Sequence, residues 1–460
     1  MNQHESLFDI GEPNVLIAAR TALAPNALVQ RVVRDQYEMP VVTLDDRVAK
    51  DHPVRAIEAL VYGLDLAVVE ATIESNSVDG GRPAVDPKIL LMVWIWGVSQ
   101  GESEASEIAR RVSTDDVYRW ICGGVRVGER TIRDFRKTSL PLLQSVFGQV
   151  VGALMGEGLI DLHRVAQDGT RVRASCGADS FRRAATLEVL IEEARRHLTE
   201  VLAEPHDPSR SLTMRRASER GAKERVERIE RALARAKALS EGKSDEDLAD
   251  KKKAPRASTS DPEATRMKMP DAGFRPAYNV QFATVADGTG AIVGVAVTDR
   301  GNDFGELGPM LTQIEERTGE RPKEALVDGG YVKQEDIEAI EKSGTKVYAP
   351  APKTKADPNG RTVKDRSAEL AAFYERIESD EGKAIYSGRG EVAELANAHA
   401  KRRFGLTLMV MRGLTGALTM SMLVAVTNNL TVLIRERASD HGSSRDATDP
   451  QSPALSLGSS

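Results

Sequence analysis

The sequence predicts an α/β fold: a mixed sheet with helices on both faces, preceded by an all-helical N-terminal segment and interrupted by a helical-hairpin insert. Three observations predict it. Apolar residues recur at helical spacing over residues 40–158. After Leu159, short apolar runs bounded by turn signals alternate with amphipathic helices. Within that region, a long charged segment carries two apolar stripes of helical period, which predict a pair of helices.

The N-terminal region divides into an arm, residues 1–37, and a helical segment of the DNA-binding type, residues 38–158. Ile57, Leu60, Val61 and Leu64 share one helix face, and Asp86-Pro87 begins an apolar helix through Val98. The segment holds all three tryptophans, Trp94, Trp96 and Trp120, so we expect it to have its own core. The turn Gly123-Gly124 precedes a helix with Arg130, Arg133 and Arg136. This pattern resembles a helix-turn-helix, and a plain bundle with a solvated basic face remains the alternative.

Residues 159–435 are predicted to form the sheet-containing domain. Val165–Val172 is interpreted as a strand, a tight turn at Asp168-Gly169 and a second strand. Strands at 278–285 and 291–297 are joined through Asp287-Gly-Thr-Gly, a hairpin signal. A helix at 307–317, a strand at 325–327, a helix at 334–342 and a strand at 346–348 follow, and helices at about 385–403 and 414–435 close the domain.

The insert, residues 183–250, has one stripe around Leu187–Val201 and another around Val226–Leu233, separated by Pro205-His-Asp-Pro. It is therefore expected to be an antiparallel helical hairpin, either a structural arm, a partner-binding arm or a DNA clamp. Residues 241–272 are interpreted as a linker, and residues 436–460 as a disordered tail.

Composition sets limits on the class of protein. Two cysteines cannot form a disulfide framework or a zinc cluster, and the N-terminus lacks the pattern of a signal peptide, so we expect a cytoplasmic, nucleoid-associated protein. The apolar stretch 414–434 contains Ser, Thr and Asn, which favours a buried helix over a membrane span. The net charge of −6 does not exclude nucleic acid, because arginines are locally dense.

Three acidic residues carry the functional signal. Asp168 and Asp328 each follow an apolar run and precede a glycine, as at a strand tip, and Glu394 lies on a predicted helix that it shares with Lys401, two turns later. Carboxylates from separate elements are what two Mg²⁺ ions (or Mn²⁺) need for phosphoryl transfer. Glycine beside each Asp would let a phosphate backbone approach. The layout fits a ribonuclease H-like domain.

Each acid also has an ordinary interpretation. An Asp-Gly pair is usually a turn, and Glu394 alone could be a solvated helix residue. Glu391, one turn earlier, is a second choice for the third ligand. Asp303 is interpreted as a helix cap. Residues expected to contact DNA phosphates are Arg130, Arg133, Arg136, Arg171, Arg173, Arg389, Lys401 and Arg402.

Together these motifs resemble bacterial insertion-sequence transposases of the DDE superfamily, of the IS-five or IS-eleven-eighty-two type. The resemblance covers about residues 40–435. It rests on Gln167-Asp-Gly-Thr-Arg-Val-Arg-Ala, Val327-Asp-Gly-Gly-Tyr and the set Tyr386, Arg389, Glu394 and Lys401. Further short matches lie at 81–87, 97–101, 130–136, 260–264, 273–281, 412–414 and 429–430.

The resemblance implies that Asp168, Asp328 and Glu394 bind Mg²⁺, and that the protein cleaves element ends and joins them to target DNA. Its partners would be double-stranded DNA, as terminal inverted repeats and target, and a second copy in a homodimer, with no membrane. A non-catalytic DNA-binding descendant, a nuclease of the same fold and a coiled-coil assembly protein remain alternatives.

Overall fold

The computed structural model describes residues 42–67, 84–204, 211–351 and 367–446, without 242, 245, 247, 249 and 251–253. The chain divides into two compact units, residues 1–43 and Leu44–Ser460, and all the helices and strands with described bounds belong to the second unit. The predicted N-terminal arm lies outside the described residues, as does the proline-containing break of the insert.

The N-terminal part of this unit is helical, as predicted. Its helices are α1 (Pro53–Tyr62), α2 (Pro87–Ser99), α3 (Ala105–Thr114), α4 (Asp116–Cys122), α5 (Glu129–Thr138) and α6 (Leu140–Gly156). Asp86 caps α2 by accepting a hydrogen bond from the Lys88 amide, and proline takes the first helical position. Gly123, with φ of 55°, ends α4 in the left-handed conformation that glycine adopts most readily.

A seven-stranded mixed sheet follows, and it confirms the predicted α/β class. Its strands are β1 (Arg164–Ala174), β4 (Thr265–Lys268), β5 (Phe274–Val285), β6 (Ile292–Thr298), β7 (Glu324–Leu326), β8 (Lys346–Tyr348) and β9 (Leu408–Met409). β1 pairs antiparallel with β5, and β5 antiparallel with β6. On its other edge β1 pairs parallel with β7 near its start and with β9 near its end, and β8 continues beyond β7.

Helices α9 (Leu307–Thr318), α10 (Gln334–Lys342), α11 (Ala368–Glu378), α12 (Asp380–Ser387), α13 (Arg389–Arg402) and α14 (Gly413–Asp446) complete the domain. One hydrophobic core runs from Val48 to Leu433 and includes Trp94 together with sheet residues. The helical segment therefore shares its core with the sheet, and the expectation of a separate core was wrong. The domain boundary at 158 stays a prediction.

The apolar stretch near the C-terminus is a core helix. Residues 413–439 of α14 are long and apolar enough to cross a membrane, with mean hydropathy 1.7, but 83% of the most apolar window is buried. Asn429 is fully buried, and its amide bonds both the N–H and the C=O of Ile292 on β6. A helix whose side chain pairs with backbone hydrogen-bonding groups at the edge of the sheet is part of the protein interior, as the sequence predicted.

The insert is the predicted antiparallel hairpin of α7 (Ala184–Ala203) and α8 (Leu212–Ala238). Arg195 pairs with Glu230, and Lys237 pairs with Glu188, so the two helices run in opposite directions. The apolar stripes face each other in a small separate core that includes Leu187, Ile191, Val226 and Ile229. Strands β2 (Phe181–Arg182) and β3 (Ala257–Ser258) pair at the base of the hairpin.

Several local predictions were wrong. Asp168-Gly169 is not a turn, since β1 continues through it and pairs with β5 on both sides. The supposed linker contains β3 and β4. The helix expected at 385–403 is broken at Gly388 into α12 and α13. α14 continues to Asp446, into the expected tail, and the rest of the tail lies outside the described residues.

Candidate active site

Two of the three predicted acids lie side by side. β1 and β7 are parallel neighbours in which Ala166 pairs with Leu326, and Asp168 and Asp328 are each two residues further along. Side chains two residues apart on a strand share a face, so the Asp168 carboxylate lies on the face where Ala166 contacts α13. Asp328 follows the end of β7, and its carboxylate is close enough to act electrostatically on Asp168. β7 ends at Leu326 and β9 joins β1 only at Arg173, which leaves the edge of β1 open beside Asp168.

The Asp168 carboxylate is partly buried, with a side-chain exposure of 22%. Burial raises its pKa above the usual value, and the nearby charge of Asp328 raises the pKa further. The Arg389 guanidinium, 4.0 Å from Oδ1, and the Asn397 amide, which donates to Oδ2 at 2.8 Å, act in the opposite direction. Asp168 is thus a desolvated acid next to a second acid, which a bound cation would stabilise.

α13 approaches this pair through a face of small residues. Ala393, Ala396 and Ala400 are buried on it, and Asn397 lies among them with 9% exposure. Because alanine lets a helix come close to a strand, the short Asn397 side chain reaches Asp168 directly. Arg389 is the first residue of α13, and its position beside Asp168 agrees with a helix that starts there.

The third acid is not gathered with the other two. Glu394 lies on α13 as predicted, but it is exposed, and none of the described hydrogen bonds or ion pairs involves it. Glu391 is also exposed. Lys401 lies one turn beyond Asn397, close enough to interact with the charge of Asp168, and burial lowers the pKa of its ammonium group. The choice between Glu394 and Glu391 therefore stays a prediction.

On the opposite face of β1, Gly169 faces a polar cluster. Asp303 accepts hydrogen bonds from Asn279 at 2.7 Å and from Gln281 at 2.6 Å. Its predicted role as a helix cap was wrong, because the N-cap of α9 is Glu306. A β-carbon on Gly169 would lie closer than 3 Å to side-chain atoms of all three residues. The glycine is thus required for this packing and not for the approach of a phosphate.

Tyr331 connects the Asp328 loop to the same cluster. It is fully buried, and its hydroxyl donates to Gln281. Burial raises the pKa of Tyr331 well above the usual range, and the charges of Asp303, Asp168 and Asp328 act in the same direction, so the hydroxyl stays a donor. Asp328 itself accepts the Gly330 amide at 2.7 Å, which fixes the turn after β7.

The arginines predicted to contact DNA fall into different environments. Arg136 is 5% exposed, donates to the Ser103 carbonyl at 2.5 Å and stacks 4.7 Å from the Trp94 ring, so its predicted DNA contact is incompatible with its position. Arg171 binds the Lys268 and Gly301 carbonyls. Of the predicted set, Arg130, Arg173 and Arg402 are exposed, and Arg133 is partly exposed.

The two carboxylates of the Asp168–Asp328 pair supply oxygen ligands, the donor type that Mg²⁺ prefers. Within the described ranges, no three His, Cys, Asp or Glu side chains come close enough together to hold a metal ion. The Asn397 oxygen Oδ1, however, is buried beside the pair without a hydrogen-bond partner. Two carboxylates and an unpartnered amide oxygen therefore fit a hard divalent cation.

The sequence analysis did not single out Asn397, and it gave Asp303, Gln281 and Tyr331 no role beside Asp168. A signal for Asn397 was present, since it follows Ala393 and Ala396 on a face that is otherwise all alanine. The other three depend on pairing between distant segments, and Gln281 lies opposite Gly169 only because β5 pairs with β1.

Two family models match the chain. Residues 42–138 match the Transposase domain DUF772, and residues 254–430 match the Transposase DDE domain. Together they cover more than half of the chain, with Asp328 and Glu394 inside the second match and Asp168 before it. No curated protein and no solved structure matches significantly. The second match agrees with the ribonuclease H-like arrangement of the sheet. The chain therefore belongs to the DDE transposases of insertion sequences.

Proposed function

We propose that this transposase cuts DNA at the ends of its element and joins the 3′ hydroxyl to target DNA, with two divalent ions held by Asp168, Asp328 and Glu394. The observation that carries the proposal is the parallel register that sets Asp168 beside Asp328. Such ions, when bound, activate the attacking oxygen and stabilise the leaving oxygen. Mg²⁺ is the proposed metal, and Mn²⁺ would serve in its place.

The residues of this chain would orient the acids. Asn397 and Arg389 hold the two oxygens of Asp168 from α13, and the Gly330 amide holds Asp328. Glu394 is one turn before Asn397, and its exposed side chain would complete the metal site by moving toward the pair. Lys401 and Arg402 at the far end of α13 would supply positive charge for a phosphate.

The partners in this proposal are the terminal inverted repeats, target DNA and a second copy of the chain, because two element ends must be joined in one complex. Arg130, Arg133 and Arg173 would contact phosphates. The proposed location is the nucleoid, and the IS-five or IS-eleven-eighty-two type remains part of the proposal. The alternatives are a non-catalytic DNA-binding descendant and a nuclease of the same fold.

The test uses a supercoiled plasmid that carries the element ends. Asp168→Asn is expected to abolish Mg²⁺-dependent nicking and leave binding of the ends unchanged. Asp287→Asn is the matched control, because Asp287 is exposed in the β5–β6 turn and an asparagine oxygen can still accept the Thr289 amide. Nicking by Asp168→Asn would rule out this site. Nicking without joining by the wild type would favour the nuclease.

A further inference from the structure

Asn397 is a buried polar residue that no acid-based description of the site uses. Its Nδ2 donates to Oδ2 of Asp168 at 2.8 Å, while its Oδ1 has no hydrogen-bond partner. A buried oxygen without a hydrogen-bond partner destabilises the fold, and the neighbouring buried positions on this face are alanines. A position with only a packing role would not need such a group.

We propose that Asn397 is a third oxygen ligand for a divalent cation bound by Asp168 and Asp328. The inference rests on the proposed function and deepens it, since it adds a neutral ligand to the metal site. In the arrangement described here, the amide donates to Asp168 and offsets part of the charge of this partly buried carboxylate. A half-turn of the amide exchanges Nδ2 and Oδ1 and places an oxygen next to the carboxylate oxygen.

The exchange would be unfavourable without a cation, because two acceptor oxygens would then face each other at hydrogen-bond distance. With a cation between them, both oxygens become ligands. Asn397 thus has a role in each state: it holds Asp168 by a hydrogen bond in the metal-free protein and binds the ion in the loaded protein. With Asn397 as a ligand, the site has three oxygen ligands even while Glu394 is exposed and away from the two aspartates.

The experiment measures binding of Mn²⁺ to the full chain without DNA, from the electron paramagnetic resonance signal of the free ion. Asn397→Leu is expected to weaken Mn²⁺ affinity about 10-fold or more, within the range that supporting residues of metal sites contribute. Asn397→Asp is expected to tighten it, because a carboxylate replaces the amide oxygen. Leu395→Ala, on the exposed side of the same helix, is the matched control and should bind as the wild type does.

Asn397→Asp separates a ligand from a residue that only donates a hydrogen bond to Asp168. Loss of the donor alone would weaken Mn²⁺ binding in both variants, so weaker binding by Asn397→Asp would overturn the proposal, as would wild-type affinity in Asn397→Leu. Asp168→Asn shows whether a negative result concerns only the role of Asn397 or the metal site as a whole. If it loses Mn²⁺ binding while both Asn397 variants match the wild type, only the role of Asn397 is wrong. If the wild type binds no Mn²⁺, the metal site itself fails.

Discussion

Gly169 and Asp303 come from segments more than a hundred residues apart, yet the Asp303 carboxylate occupies the space that a β-carbon on Gly169 would need. Asp303 in turn accepts hydrogen bonds from Asn279 and Gln281 on β5. The residue after Asp168 is thus fixed from the opposite face of the sheet, and the position of Asp168 depends on this packing.

Gly169→Ala is therefore expected to destabilise the fold by about 1–3 kcal/mol, the usual cost of overpacking a filled site. Urea denaturation measures it as the free energy of unfolding. Gly152→Ala is the control, because a β-carbon on this exposed glycine of α6 meets nothing within 4 Å. That variant should be neutral or more stable by up to about 1 kcal/mol, since alanine favours helix. Equal stability of the two variants would show that Asp303 moves aside freely.

Glu394→Gln and Glu391→Gln distinguish the two candidates for the third acid. Both side chains are exposed on α13, so neither change should alter stability by more than about 0.5 kcal/mol. We expect Glu394→Gln to reduce the rate of Mg²⁺-dependent nicking at least about 100-fold, and Glu391→Gln to leave it within a few-fold of the wild type. The reverse order of the two rates would assign the third ligand to Glu391.

Substitutions of the arginines on α5 should differ in effect: those at the surface should change DNA binding, and the one in the interior should change stability. Arg130→Ala and Arg133→Ala are expected to lower non-specific DNA affinity and to reduce the salt dependence of binding by about one counterion each, with little change in stability. Arg136→Ala removes a buried guanidinium from the Ser103 carbonyl and the Trp94 ring, so it should lower the free energy of unfolding by about 1–3 kcal/mol. Fluorescence anisotropy at several salt concentrations, combined with urea denaturation, checks both. Unchanged salt dependence for Arg130→Ala and Arg133→Ala would remove α5 from the DNA interface.

Asp261 predicts a pH dependence of stability. It is 1% exposed, Oδ1 accepts from Tyr278 and the Gly413 amide, and Oδ2 has no partner. Burial raises its pKa in the folded state above the ordinary value of 3.8. Its favourable contribution is therefore complete below pH 3.8 and is lost as the pH rises through the folded pKa.

The difference in free energy of unfolding between Asp261→Asn and the wild type should accordingly grow in favour of the variant as the pH rises above 3.8, and become constant above the folded pKa. Urea denaturation between pH 4 and 8 measures this difference. Subtracting the wild-type free energy of unfolding from that of the variant cancels the contribution of every other group that titrates equally in both proteins. A difference that is constant over the whole range would contradict the assignment.

The elements with strong local signals could be predicted from the sequence. α10 and β8 have the expected bounds, and the β5–β6 hairpin forms around its Asp-Gly turn. In these segments the signals for the element, its apolar periodicity and its turn residues, lie within a few positions of each other along the chain, so the local sequence is enough to predict it. The same local preference failed at Asp168-Gly169, where pairing with β5 overrides the tendency of Asp-Gly to turn.

Asp168 and Asp328 could be identified from the sequence as candidate site residues, but their surroundings could not, and the third acid stays a prediction. Asp328 follows a short strand as its apolar run indicated. The interior position of Arg136 could not be inferred from a basic pattern, because its partners are Trp94 on α2 and the Ser103 carbonyl in the loop between α2 and α3. The contact of Asn397 with Asp168 joins positions 229 residues apart. Such contacts depend on tertiary packing that no local pattern encodes.

The helical insert also bears on the order in which the protein folds. Gln167 on β1 and Gln281 on β5 are 114 residues apart, and a pairing of such long range forms slowly because the loop must close first. The contacts between α7 and α8 are local by comparison, and the pairing of β2 with β3 closes their base. If the hairpin forms early, it brings Phe181 next to Ser258, and the remaining loop between β1 and β5 becomes short. The insert would then shorten the loop that must close before β1, which carries Asp168, pairs with β5, and so speed the formation of this pairing.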